Sequence, residues 1–315
     1  MGKSVAVLIL GLIPVFAGVA EPLQQEKETD LSWAFPVPDK TLPPGFDEAV
    51  LKQVPGSKET YTEERIDPFN PPDWFPEEHP AEPLVVRHGD GNVVQACSYC
   101  HLANGLGHPQ SANLAGHSVA YLMRQLADFK HGARTAPPMD GFAKALTEEE
   151  ARQASEWFAA LKPRVWIKVV ETDTVPKTFV LNTRLRLPWP TDEIEPLGHR
   201  IIEVPQDASR VESYDPHSGF VAYVPVGSIA RGEKLVTTGA GKTIACVTCH
   251  GDDLRGAGEL PRIAGCSAIY IVRQLYTIQN LTRKGSAAGL MKPVVKELTV
   301  DDMISIAAYV ASRVP

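Results

Sequence analysis

The sequence predicts a mainly α-helical protein built from two tandem copies of one small helical domain, led by a proline-rich arm and split by a partly β insert. Three observations carry this. The pentapeptide Cys97-Ser98-Tyr99-Cys100-His101 returns as Cys246-Val247-Thr248-Cys249-His250. The residues that follow each copy stay in register at an offset of 149 positions as far as Arg134 and Arg283. Each copy then closes on an amphipathic segment that opens with a threonine and acidic residues.

Residues 1–20 read as a secretory signal. Lys3 gives the positive start, Val5 to Phe16 the apolar core, and Ala17-Gly18-Val19-Ala20 the small residues before a cut ahead of Glu21. An uncleaved anchor is the alternative, but the apolar run falls short of the ~20 residues a spanning helix needs, and Pro14 interrupts it. The arm follows at 21–84. Residues 21–83 hold 12 of the 27 prolines among many acids, so an extended segment poor in regular structure is expected. It is either a strap on the first domain or a partner-recognition arm anchored by Trp33, Phe35, Trp74 and Phe75.

The two domains are placed at 85–163 and 227–315. Asn113-Leu114-Ala115-Gly116 falls on Arg262-Ile263-Ala264-Gly265, Tyr121 on Tyr270, and Arg124-Gln125-Leu126 on Arg273-Gln274-Leu275. After three residues inserted in the second copy, Met139 falls on Met291, Leu146-Thr147 on Leu298-Thr299, Trp157 on Tyr309 and Pro163 on Pro315. Each copy reads as a short helix before the motif, clear at Ser228 to Val236 and less so in the first copy. A Gly-rich loop follows, then a middle helix with Tyr121, Leu122, Gln125, Leu126 and Phe129 on one side. A Met-bearing loop leads to a last helix. Its start has an N-cap and acidic first turn at Thr147 to Glu150 and at Thr299 to Asp302. Its apolar face runs through Ala154, Trp157, Phe158 and Leu161, and through Ile306, Tyr309 and Val310. The insert, 164–226, holds three strand-like runs, Trp166 to Val170, Thr178 to Leu187 and His199 to Val204, separated by prolines.

C-x-x-C-H is the attachment signature of a c-type haem. Two thiols reach the vinyl groups of one porphyrin, and the adjacent His is placed to bind its iron. A bare C-x-x-C also suits a zinc half-site or a redox pair, but neither explains a His after both pairs. Two covalently attached haem c groups are therefore expected, at Cys97, Cys100 and His101 and at Cys246, Cys249 and His250. For the other face of the iron, no His follows His250, which leaves Met291, Met303 and Cys266 in the second copy. Only Met139 and Met291 match each other; Met303 meets Ala151 and Met123 meets Val272. Placed on loops, the paired Met residues are expected to ligate, against the alternative that they are core. His108, His117 and His131 meet Ala257, Cys266 and Asn280 and read as surface or helix-start residues. Cys266 reads as a half-buried free thiol, with thiolate ligation as its alternative. Arg134 and Arg283 are expected to pair with haem propionates.

The net charge of −7 becomes −8 if Lys3 is removed with the signal. An acidic surface argues against nucleic acid and anionic membranes and mildly favours a basic docking partner. No later stretch is apolar enough to span a membrane.

These phrases together resemble the bacterial dihaem cytochromes c of the cytochrome c-four type. The resemblance rests on C-x-x-C-H, Pro261-Arg262-Ile263-Ala264-Gly265, Tyr270 with Gln274-Leu275, the Met, and Leu298-Thr299 entering the last helix. It implies two tandem class I cytochrome c-like helical domains with haem edges approaching each other. It implies iron ligands His101 with Met139 and His250 with Met291. It further implies periplasmic electron transfer between a dehydrogenase or membrane complex and an oxidase or other cytochrome. Two features depart from the family: it usually has Gln where this chain has His117 and Cys266, and its linker is much shorter than this insert. Two rival functions stand beside the carrier. One is a dihaem oxidoreductase, thiosulfate dehydrogenase-like or peroxidase-like, with one catalytic haem; the other is a cytochrome subunit of a dehydrogenase complex. No catalytic residue is assigned.

Overall fold

A computed structural model describes residues 1–2, 31–41, 54–61, 67–181 and 183–315. The signal segment, 3–20, lies outside the described residues. Two helical sets run in the same order. The first is α1 (Leu84–His88), α2 (Cys97–His101), α3 (Val119–Lys130), α4 (Met139–Ala145) and α5 (Glu148–Ala160). The insert contributes β1 (Ile167–Glu171), β2 (Thr174–Pro176), β3 (Thr178–Val180), β4 (Arg186–Pro188), β5 (Ile194–Pro196), β6 (Ile202–Pro205), α6 (Ala208–Glu212) and β7 (Phe220–Val224). The second helical set is α7 (Ser228–Thr238), α8 (Val247–His250), α9 (Ala268–Gln279), α10 (Ser286–Val295) and α11 (Val300–Ala311).

Matching local chemistry starts the matching helices. Ser118 and Ser267 cap α3 and α9 by accepting the backbone N–H of Tyr121 and Tyr270. Thr147 with Glu150, and Thr299 with Asp302, close reciprocal capping boxes on α5 and α11. The predicted apolar faces of the last helices are buried, with Tyr309 half-buried. The unclear first helix exists as α1, five residues long against eleven for α7. Pro80 and Pro83 account for the difference, because a proline lacks the N–H for an intrahelical bond and disfavours helical backbone at the residue before it.

One glycine in each set is fixed by close packing. Gly116 and Gly265 have φ of 72° and 67°. Their N–H groups donate to Phe158 O and Val310 O at 3.0 Å. A Cβ there would lie 2.8 Å from Pro163 Cδ or 3.0 Å from Pro315 Cδ. These loops thus lock onto the ends of α5 and α11.

The insert is a small sheet in the order β1-β7-β6, with β7 parallel to β1 and antiparallel to β6. Thr178 to Leu187 forms a hairpin of β3 and β4 rather than one strand. Arg184, at φ 65°, makes the turn that a continuous strand does not allow. The insert joins both helical sets. Trp166 Nε1 donates to Gly107 O at 2.8 Å in the first. Glu203, fully buried on β6, accepts from Ser267 Oγ and Ala268 N, each at 2.6 Å, at the start of α9.

The arm is a strap, but not one confined to the first domain. Its 67–80 stretch lies there: Ala96 N donates to Pro68 O, and Trp157 Nε1 to Pro80 O. Farther upstream, Arg273 Nη1 of α9 donates to Ala34 O, and Phe35 packs edge-on against Tyr276. Trp74 Nε1 donates to Ser213 O in the insert, and Phe75 stacks on His217. Trp33, Trp74 and Phe75 are buried, so these expected partner anchors are engaged within the chain; Phe35 stays partly exposed. One apolar core runs from Trp33 through Phe158 and Phe220 to Val310.

Gly116→Ala and Gly265→Ala each force a Cβ into a left-handed position against proline, at about 1–3 kcal/mol. Thermal unfolding should show a lower midpoint for both variants; an unchanged midpoint in either contradicts this packing.

Candidate functional site

The motif helices α2 and α8 hold their histidines identically. His101 Nδ1 lies 2.8 Å from Ala112 O and His250 Nδ1 2.9 Å from Pro261 O. A carbonyl only accepts, so each Nδ1 carries the proton and each Nε2 keeps its lone pair. Burial pushes the His101 imidazole down to about 4 and lowers His250 as well, keeping both neutral. The accepting carbonyls belong to loops with matching bonds. Leu114 N and Ala115 N donate to Gly105 O, while Ile263 N and Ala264 N donate to Leu254 O. Burial also pushes the Cys97 thiol up to about 12, and Cys100 and Cys246 to about 11.

All four motif cysteines and both histidines line one continuous cavity of about 380 Å³. Met139 and Met291 line it too, so the structure brings every site residue expected from the sequence to one place. Neither Met is on a loop, which corrects that expectation. Met139 is the first residue of α4, behind Pro138, and Met291 lies within α10. The apolar segment between the middle and last helices coils because its one face can bury against α3 or α9. Met303 is fully buried in α11.

The joint between the helical sets has near-twofold symmetry. Arg134 Nη1 donates to its own Gln125 Oε1 at 2.9 Å, and Arg283 Nη1 to its own Gln274 Oε1 at 2.8 Å. The other nitrogens cross over: Arg134 Nη2 donates to Gln274 Oε1 at 3.1 Å and Arg283 Nη2 to Gln125 Oε1 at 2.8 Å. Arg134 also donates to Tyr270 OH at 3.1 Å, and the two arginine backbones form a β-bridge. Burial lowers Arg283 from its ordinary value, and the like charge of Arg134 lowers it further. Among the described residues neither guanidinium is paired with a carboxylate. A second crossing bond joins matched positions: Arg262 Nη2 donates to Asn113 Oδ1 at 2.9 Å.

His117 and Cys266 flank the same cavity. The surface reading of His117 is corrected: it does sit at the start of α3, but it is buried, with its ring 4.9 Å from Tyr121. The turn at Gly116 tucks it inward. Burial drives its imidazole down to about 3. Cys266 is 3% exposed, more buried than expected. Burial raises its thiol while Arg262, 4.0 Å away, opposes the rise. His131 is exposed beyond α3, whereas His108 is half-buried and bonds Ser111 and Gln110, two residues that line the cavity, so its surface reading is corrected as well.

These residues fit a haem at each motif. Each site has paired thiols, a neutral imidazole with a free Nε2 and an apolar wall, and between them stand the guanidinium groups of buried Arg134 and half-buried Arg283. No group of three or more His, Cys, Asp or Glu side chains that could hold a metal ion is gathered among the described residues. Among them, too, no helix is long and apolar enough to cross a membrane. The crossing Gln, Tyr and Asn–Arg contacts were not foreseen, although their persistence at one offset was the available signal. Glu203 had none, since it comes from the unrepeated insert.

Comparison with known proteins gives the same picture. Residues 229–313 match the cytochrome c family. The chain is 27% identical to the thiosulfate dehydrogenase electron acceptor of Thiomonas intermedia, over 69% of this chain and 78% of that protein. It is 24% identical to cytochrome c4 of Pseudomonas aeruginosa, over 72% of this chain and 90% of that one. Cytochrome c-554(548) of Halomonas halodenitrificans is 35% identical over 28% of this chain and 98% of its own length.

The Cys266 thiol should resist iodoacetamide at about pH 8 in the folded holoprotein, because the thiolate is the reactive form and is suppressed here. Unfolding should then expose one reactive thiol per chain by mass spectrometry. Labelling before unfolding, or of more than one thiol after it, contradicts this assignment.

Proposed function

As this chain belongs to the cytochrome c family and is a dihaem cytochrome resembling the cytochrome c4 type, we propose that it is a periplasmic electron carrier with one haem in each of its helical domains, 85–163 and 227–315. The bound haems supply a one-electron iron couple. Cys97 with Cys100, and Cys246 with Cys249, form the thioether links. His101 and His250 would hold the iron through Nε2, with Met139 and Met291 as its other protein ligands. Arg134 and Arg283 receive propionates. Two protein ligands per iron leave no open position for substrate, which favours electron transfer over catalysis.

The observation that carries this reading is the single cavity lined by both histidines and both paired methionines. An electron that enters at one motif thus has the other motif on the same cavity as its destination. The donor we propose is a dehydrogenase, with a thiosulfate-oxidising enzyme first to be tried, given the name of the Thiomonas relative. The acceptor is an oxidase or another cytochrome, and residues 1–20 direct export.

The long-wavelength absorption of the oxidised protein, scaled per haem, tests the ligands through the methionine-sulfur-to-iron charge-transfer band. Intensity for two Met-ligated haems is expected, falling by half in Met139→Ala and in Met291→Ala. Intensity for one haem or none overturns the symmetric ligation and points to Cys266 or His117 instead.

A further inference from the structure

The arm places a carboxylate beside the first attachment motif, where the second motif has no counterpart. α1 lies directly on α2: Cys97 Sγ is 3.4 Å from Val85 O, and Ser98 Oγ donates to Val86 O at 2.8 Å. Two residues ahead of α1, the Glu82 side chain is only 4% exposed. Neither of its oxygens has a hydrogen-bond partner. The Ser98 hydroxyl faces it but is already committed to Val86 O. A carboxylate buried without donors is costly to ionise.

The second half closes this space. α1 ends on Gly89 and α7 on Gly239, both at positive φ, so Glu82 corresponds to Gly232. Gly232 packs so tightly on α11 that a Cβ there would sit 1.9 Å from Ser305 O. In the first half the prolines cut the helix short, and Glu82 takes up part of the room.

The charged groups around Glu82 come from four elements. From the arm, Asp73 pairs with His79 at 3.1 Å. Burial alone would lower His79, but that hydrogen bond raises it to about 9, so Asp73 is compensated by an imidazolium. From α1, Arg87 Nε stands 3.6 Å from Glu82, and its Nη1 donates to Pro71 O. From α2 comes the Cys97 sulfur, and from the first turn of α5 Glu150, which shares that sulfur's surroundings. Burial, reinforced by Asp73, pushes Glu82 up to about 7 against the pull of His79 and Arg87.

We infer that Glu82 is a redox-linked proton site for the first haem, so that the first reduction potential, and not the second, varies with pH. Reduction adds one electron to the iron and draws a proton from solvent onto the carboxylate; oxidation releases both. The sign follows from electrostatics. Above the Glu82 value a negative charge beside the haem favours ferric iron, so the potential falls as pH rises. The driving force between the two haems then depends on pH, set by a residue of the arm.

This inference rests on the reading of Cys97, Cys100 and His101 as a haem site, and the test separates the two. The haem content of the holoprotein comes first. Two haems and two one-electron waves are expected; fewer overturn the site reading and the inference with it. Spectroelectrochemical titration from about pH 5 to 9 follows, on the native protein and on Glu82→Gln. The first-site wave is the one that Met139→Ala displaces. That wave should fall with rising pH through about 7 and stay flat in E82Q at the acid-side value, while the second wave keeps the same slope in both. Equal slopes for the first wave in both proteins overturn the inference alone. If E82Q does not fold, redox-difference infrared spectroscopy of the native protein at pH 7 decides. A protonated-carboxyl band that changes with oxidation state and shifts in heavy water supports the proton site, and its absence overturns it.

Discussion

Arg134 and Arg283 lie side by side where the two helical sets meet, and their like charges are the constraint on which the rest of the structure depends. Two guanidinium groups taken out of water repel each other and forfeit hydration, a combination a protein tolerates only with many well-placed acceptors. Here each Gln Oε1 accepts from both arginines, so one amide dipole serves two cations across the joint. The phenol of Tyr270 adds another acceptor. Neutral oxygens leave the positive charge in place, and that makes the joint a receptor for anions. On the proposed reading, the propionates of two haems held at the flanking motifs would meet that requirement.

The other additions to the chain make sense as supports for this joint. Glu203 of the insert anchors the start of α9, the helix that carries Gln274 and Tyr270. Arg273 on the same helix, half-buried, donates to the backbone carbonyls of Ala34 in the arm and Pro109 in the first set, which ties three parts of the chain together. Arm and insert therefore act on the relative placement of the helical sets. The arm also makes the two sites unequal. It supplies Pro80 and the Asp73, His79 and Glu82 cluster to the first site, while the second is closed by a full-length α7.

Much of this was legible in the sequence because a repeat tests itself. Capping Thr147 and Thr299 foretold α5 and α11, and Met139 with Met291 stood out because only they matched among the methionines. Their helical setting was not legible. Segments behind Pro138 and around Pro293 carry breaker residues, yet burial of one face outweighs that local cost. The crossing of Arg134 to Gln274 was also hidden: a repeat says that two positions are alike, not that they meet. The single β-run at Thr178 to Leu187 misled because an apolar stretch shows no turn when the turn is made by Arg184 in a left-handed conformation. Glu82 and Glu203 were invisible, since a lone acid in an acidic arm or insert looks like solvated surface until its neighbours bury it.

The claim that most needs a direct answer is that the two haems share one joint. Circular dichroism in the Soret region measures this, since two haems held close together and in fixed orientation couple their transitions. The account predicts a bisignate band in the holoprotein that disappears in a Cys97→Ser, Cys100→Ser variant retaining only the second haem. A native spectrum equal to the sum of the spectra of the two single-haem variants would contradict the shared joint.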